Sequence, residues 1–160
     1  DLEARLVEGF QLHRWASDHV PTAYEKAFRL KQLKAYLRSG LRAPPRDASP
    51  LTAKEEKGKT IFEDDKTLCK SCHPPATEFT TRAPIPLKSP LPLRAGFVAD
   101  EDQGFKVPSL LFVGGSPPYY HDGSASSLTE LVEKNGNRMG NTGHLSAEER
   151  AALVAYLERL

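Results

Sequence analysis

The 160-residue sequence predicts an all-α fold. Apolar residues recur at intervals of three and four over the first forty residues and again at the C-terminus, the period of a helix with one buried face. Three further segments open on a Ser or Thr followed three positions later by Glu, the sequence form of a capping box: Thr52–Glu55, Ser127–Glu130 and Ser146–Glu149. No stretch reads as a credible sheet. An apolar fraction of 39% with 27% charged residues is that of an ordinary globular chain rather than a disordered one. A net charge of +1 gives no global pull toward nucleic acid or a membrane surface.

Taken in order, Leu2, Leu6, Val7, Phe10 and Trp15 mark a first helix that Pro21 interrupts. Ala23, Ala27, Leu30, Leu33 and Leu37 line one face of a second, with Gly40 placed as its C-cap. Between Lys26 and Arg46 the chain carries seven Lys or Arg and no acid, which reads either as a solvated helix face or as a docking face for an acidic partner. The linker composition of residues 43–50 predicts a boundary near residue 50, with 1–50 a helical extension and linker and 51–160 the main domain. A third helix runs from Thr52 through Gly58, Ile61 and Phe62. Seven prolines between residues 74 and 108 predict a long extended loop draped over a surface. VPSLLFVGG is a short apolar turn or helix stopped by Gly114 and Gly115. The last helix presents Ala152, Val154, Tyr156, Leu157 and Leu160 as its apolar stripe.

Both cysteines fall in LCKSCHPP, residues 68–75. On one helical turn Cys69 and Cys72 project their sulfurs from nearly the same side, and His73 follows. In C-x-x-C-H the thiols can add across the vinyl groups of a haem while the histidine reaches the iron from the proximal side. A structural zinc site would need two further ligands, and no other cysteine exists to supply one. A thioredoxin-like dithiol or a simple disulfide is the third reading, without the βαβ alternation that normally surrounds the first. KTLCKSCH is too polar for a core segment with two incidental thiols.

The second axial position separates an electron carrier from an enzyme. Met139, the one methionine, lies in NGNRMGNTGHLS, a polar Gly-rich loop that lets a thioether approach a flat macrocycle. Its rivals are His121 in PPYYHDGSA, His144, and the N-terminal His13 and His19. His121 is read as a group contacting the haem, an axial ligand or a distal acid/base. His144 sits beside a capping serine and is expected to be exposed. His13 and His19, six apart, fall on different sides of one helix.

With these residues located, residues 52–160 resemble the C-terminal haem domain of the bacterial di-haem cytochrome c peroxidase family. The matching text is GKTIF, CKSCHPP followed by FTT, FKVPSL, PPYYHDGSASSLTEL and LSAEERAALVAYLERL. The resemblance implies a class I cytochrome c fold and a His/Met haem that passes electrons to a second haem where peroxide is cleaved. It makes Cys69 and Cys72 the thioether sites, His73 the proximal and Met139 the distal ligand, and sets His121 beside the haem. A single C-x-x-C-H means that the family's peroxidatic haem has no counterpart here, so peroxidase activity does not carry over.

The sequence therefore predicts an electron-transfer cytochrome with one covalent haem c, acting by outer-sphere transfer to redox partner proteins. The rival expectations are a single-haem peroxidase using His121 as acid/base, and a haem-bearing interaction module docking through its basic helix. No apolar run is long enough to span a bilayer and Asp1 does not open a signal sequence. Haem attachment would place the chain in the periplasm or another extracytoplasmic compartment, with Asp1 a mature or trimmed end. Its abrupt start inside a helix predicts a domain or subunit of something larger.

Overall fold

The computed structural model describes residues 23–40, 47–86, 104–137 and 139–160. The expected first helix, with His13 and His19, lies outside them, as do Arg42, Arg46 and the middle of the proline-rich segment. The chain divides into two compact units, Asp1–Pro44 and Pro45–Leu160.

In the first unit α1 spans Ala23–Ala35 and continues as a π-helical turn, Tyr36–Gly40. Leu30 is buried and Leu33 and Leu37 half-buried, the stripe the spacing predicts, but Ala27 is exposed. The helix changes geometry five residues before the expected cap. The Ser39 hydroxyl donates to the Ala35 carbonyl at 2.7 Å. The Tyr36 ring stands where a β-carbon on Gly40 would project, 2.5 Å from it, so a side chain there would push this exposed ring aside.

The second unit is built on α2, Ala53–Glu63, and α5, Ala147–Glu158. Both capping boxes form as the sequence predicts. Thr52 N donates to Glu55 Oε2 at 2.6 Å and Ser146 N to Glu149 Oε2 at 2.8 Å, while each hydroxyl accepts the N–H of its glutamate. The two helices cross in backbone contact at Gly58, where a β-carbon would lie 2.0 Å from the Ala152 carbonyl oxygen. Phe62 fills the core beside this crossing, its ring 5.9 Å from Phe79 and 5.6 Å from Tyr156. Arg159, just past α5, pairs with Asp47 and donates to the Ser49 carbonyl at 2.6 Å, which ties residues 47–49 to this unit.

Between these helices lie the short α3, Cys69–Cys72, a 3-10 turn at Pro75–Thr77, and α4, Leu128–Lys134. At α4 the capping box is half made. The Ser127 hydroxyl accepts the Glu130 N–H, but the Glu130 carboxylate turns to Ser126 and Lys134 instead.

Two expectations need correction. The proline-rich segment carries a small antiparallel sheet, β1 Pro84–Pro86 against β2 Gly104–Lys106, with Ile85 opposite Phe105. Three-residue strands are too short to show alternation, and proline is tolerated on such an edge. Gly114 and Gly115 do not stop a helix but belong to the 3-10 turn Val113–Gly115. A β-carbon on Gly114 would lie 3.1 Å from the Glu158 Cα, so the glycine lets this turn sit against α5. The fold is mostly helical with little sheet. Among the described residues no helix is long and apolar enough to cross a membrane.

Candidate functional site

A cavity of about 700 Å³ opens between α3, α4, α5 and the segments around β2. Phe62, Val107, Leu128, Leu153 and Leu157 make much of its wall apolar, and Cys69, Cys72, His73, His121 and Met139 all line it. Its size is that of clefts that take organic ligands.

The cysteine turn is positioned from α2. Buried Thr67 sets its hydroxyl 2.6 Å from the Ile61 carbonyl and 2.9 Å from that of Asp64, folding the chain back at the end of the helix. Leu68, at φ +61°, then turns it into α3. Cys69 and Cys72 are free, half-buried thiols. Burial pushes the Cys69 thiol above its ordinary pKa. A redox dithiol needs the opposite shift to expose a thiolate nucleophile.

His73 closes α3, its N–H donating to the Cys69 carbonyl at 3.0 Å. Its Nδ1 lies 2.8 Å from the Phe79 carbonyl oxygen, which can only accept, so the proton sits on Nδ1 and Nε2 carries the lone pair. Burial lowers the pKa of the ring, against the pull of the Phe79 and Pro108 carbonyls, and keeps it neutral at pH 7. Glu78 and Phe79, at φ +58° and +57°, bend the chain so that this carbonyl returns to the imidazole. The bend is held by Thr81 N to the Cys72 carbonyl at 3.1 Å, the Thr80 hydroxyl to the Val107 carbonyl at 2.6 Å, and the Ser109 hydroxyl to the Glu78 carbonyl at 2.6 Å. The Thr80–Val107 bond joins the FTT and FKVPSL segments.

His121 stacks on Phe105 of β2, ring centroids 4.3 Å apart and planes 27° from parallel. The turn that carries it is pinched by mutual backbone bonds between Tyr119 and Ala125, at 2.7 and 3.3 Å. Buried Asp122 accepts the Ser124 N–H at 3.0 Å inside that turn.

Met139 is held by groups that sequence reasoning passed over. Its N–H donates to Asn135 Oδ1 at 3.0 Å, and the other end of that buried carboxamide donates to the Gly140 carbonyl and the Thr142 hydroxyl. Asn141 N donates to the Thr67 carbonyl at 2.8 Å, joining the methionine loop to the cysteine turn. An Asn that ends a helix before Gly136 reads locally as a cap, so nothing in its spacing discloses the loop it organises. His144 is exposed.

Two thiols, a neutral imidazole with Nε2 available and a thioether on one largely apolar cavity form a donor set that fits a covalently attached haem. Zinc finds no such set: among the described residues no three His, Cys, Asp or Glu side chains are grouped to hold a metal ion.

The chain matches no protein-family model. It is 27% identical over 175 residues to hydrazine synthase subunit gamma of Kuenenia stuttgartiensis, a match covering 82% of this chain and 49% of that one. The chain thus spans about half the length of the curated relative it matches. A xenon-pressurised structure of hydrazine synthase from the same organism superposes with a TM-score of 0.66 at 26% identity, over 82% of this chain and 55% of that one. A MauG-like protein associated with microbial copper homeostasis gives a TM-score of 0.49 at 23% identity, over 69% and 47% of the two chains. Over most of its length, the chain is similar in sequence and fold to about half of a hydrazine synthase chain.

Proposed function

We propose that residues 51–160 form an electron-transfer c-type cytochrome domain with one haem, Cys69 and Cys72 as its thioether attachments, His73 as proximal ligand and Met139 as distal ligand. The observation that carries this reading is the His73 ring. A carbonyl holds its Nδ1–H, so that Nε2 carries the lone pair, and the ring lines the same cavity as both thiols and Met139. Bound haem supplies a one-electron iron couple, which thioether ligation biases toward Fe(II). The chain's own residues fix the imidazole tautomer, exclude water with an apolar wall and keep both ligands on short, hydrogen-bonded turns. The close crossing of α2 and α5 supports a class I cytochrome c-like architecture within the di-haem cytochrome c peroxidase relatives. Similarity to a named subunit supports a place in a larger redox assembly, and thioether attachment a periplasmic or extracytoplasmic one.

The competing reading is a single-haem peroxidase, favoured by His121 on the same cavity wall. One set of measurements separates them. Denaturing mass spectrometry should find the chain heavier by one haem, and the ferric protein should be low-spin with the weak far-red sulfur-to-iron band. Met139→Ala should abolish that band, raise the spin state and lower the potential. A bare polypeptide mass from cells competent in haem attachment would end the c-type reading. A high-spin protein that ignores Met139→Ala and loses peroxide turnover with His121→Ala would favour the enzyme.

A further inference from the structure

We infer that Asn135 is a positioning residue for Met139: its carboxamide holds the loop 139–142 in the conformation in which the thioether lines the cavity. The inference rests on the reading of Met139 as an iron ligand.

Asn135 is 1% exposed and ends α4. A carboxamide offers two donors and one acceptor oxygen, and both ends of this one are spent on a single loop. Oδ1 accepts the Met139 N–H at 3.0 Å, while Nδ2 donates to the Gly140 carbonyl at 2.9 Å and the Thr142 hydroxyl at 3.1 Å. Thr142 is itself buried, and its hydroxyl reaches back to the Val132 carbonyl at 3.3 Å, so the loop is anchored to α4 twice. No other side chain reproduces this set. Aspartate cannot donate, leucine can do neither, and glutamine is longer by a methylene.

The loop has little stiffness of its own. Gly136 and Gly140 both stand at positive φ, and Gly143 follows. Its course must come from bonds to its surroundings. On one side these are made by the Asn135–Thr142 pair. On the other, Asn141 N donates to the Thr67 carbonyl at 2.8 Å. His73, by contrast, is fixed through Phe79 and makes no use of Asn135. Loss of the carboxamide should therefore free the thioether and leave the imidazole in place.

The test uses the haem-loaded protein and added imidazole, which can take the sixth position of ferric iron only when the thioether leaves it. Asn135→Leu should weaken the far-red sulfur-to-iron band and tighten imidazole binding by about tenfold or more, a change of about 1.4 kcal/mol. Thr142→Val should do the same to a smaller degree, and Thr142→Ser should stay near the parent protein. In a Met139→Ala background, Asn135→Leu should leave imidazole affinity unchanged, because the residue acts only through the thioether. Asn135→Leu or Thr142→Val binding imidazole as weakly as the parent would overturn the inference. So would an equal tightening by Asn135→Leu with Met139 already removed, or a Thr142→Ser that behaves like Thr142→Val. A parent protein without the sulfur-to-iron band, binding imidazole like Met139→Ala, would instead overturn the ligand reading beneath it.

Discussion

Gly140 shows how narrowly single positions are constrained. It stands at φ +81°, and a β-carbon there would lie 2.7 Å from the Thr67 carbonyl oxygen and 3.6 Å from Cys69 Sγ. Gly140→Ala incurs both the left-handed backbone cost, about 1–2 kcal/mol, and a clash with fixed backbone. Denaturant unfolding should record a loss of that order, and the far-red band should weaken as the adjacent thioether shifts. Unchanged stability would mean that the loop accommodates a side chain freely. Glu130 makes a different kind of prediction. Hydrogen bonds from Lys134 and then Ser126 hold its carboxyl down at about 2, against an ordinary value of 4.5. The depressed folded value means that the unfolded chain takes up the proton first. The contribution of Glu130 is therefore complete above pH 4.5 and lost as pH falls toward 2. Stability measured by urea unfolding between pH 6 and 2 should fall less steeply in Glu130→Gln than in the parent.

Among the elements, the α2–α5 crossing decides the sign of a substitution that helix propensity alone would get wrong. In an isolated helix Gly58→Ala is favourable by about 0.8–1.0 kcal/mol. Here the added carbon meets the Ala152 carbonyl oxygen at 2.0 Å and its carbon at 2.7 Å, and overpacking of this kind costs about 1–3 kcal/mol or more. Gly58→Ala should lower the unfolding midpoint, and a rise would show that the helices can slide apart cheaply. The N-terminus of α5 is ordinary by comparison. Ser146→Ala removes an acceptor for the Glu149 N–H at 3.2 Å and should cost about 1 kcal/mol, read as a shift in urea midpoint with an unchanged slope.

For the whole molecule, the balanced net charge of +1 conceals an uneven distribution. Arg29, Lys31 and Arg38 are exposed on α1 and the turn after it, and no acid lies between Lys26 and Arg46. A local excess of positive charge of this kind favours encounter with an acidic partner at low salt, an effect that screening beyond about 10 Å at 0.1 M largely removes. Electron-transfer rates to an acidic partner protein should drop on Lys31→Glu with Arg38→Glu at low ionic strength and converge with the parent at high. Rates equal at both ionic strengths would make the segment a solvated face only.

The sequence by itself determined the elements whose cause is local. Two serine or threonine caps fix the starts of α2 and α5 because both partners of each bond lie within four residues. The cysteine turn is equally local, since the spacing of Cys69, Cys72 and His73 puts all three on one short turn. Tertiary structure decided what depends on distant segments meeting. The tautomer of His73 is set by a carbonyl at Phe79 that comes within reach through two left-handed residues, which no residue pattern announces. The β1–β2 pair joins segments 20 residues apart around prolines that hide any alternation. The loop of Met139 takes its course from Asn135 and Thr67, residues whose types suit a cap and a turn equally well. Only the meeting of loop 139–142 with the cysteine turn, where Asn141 N reaches the Thr67 carbonyl, gives these groups their partners.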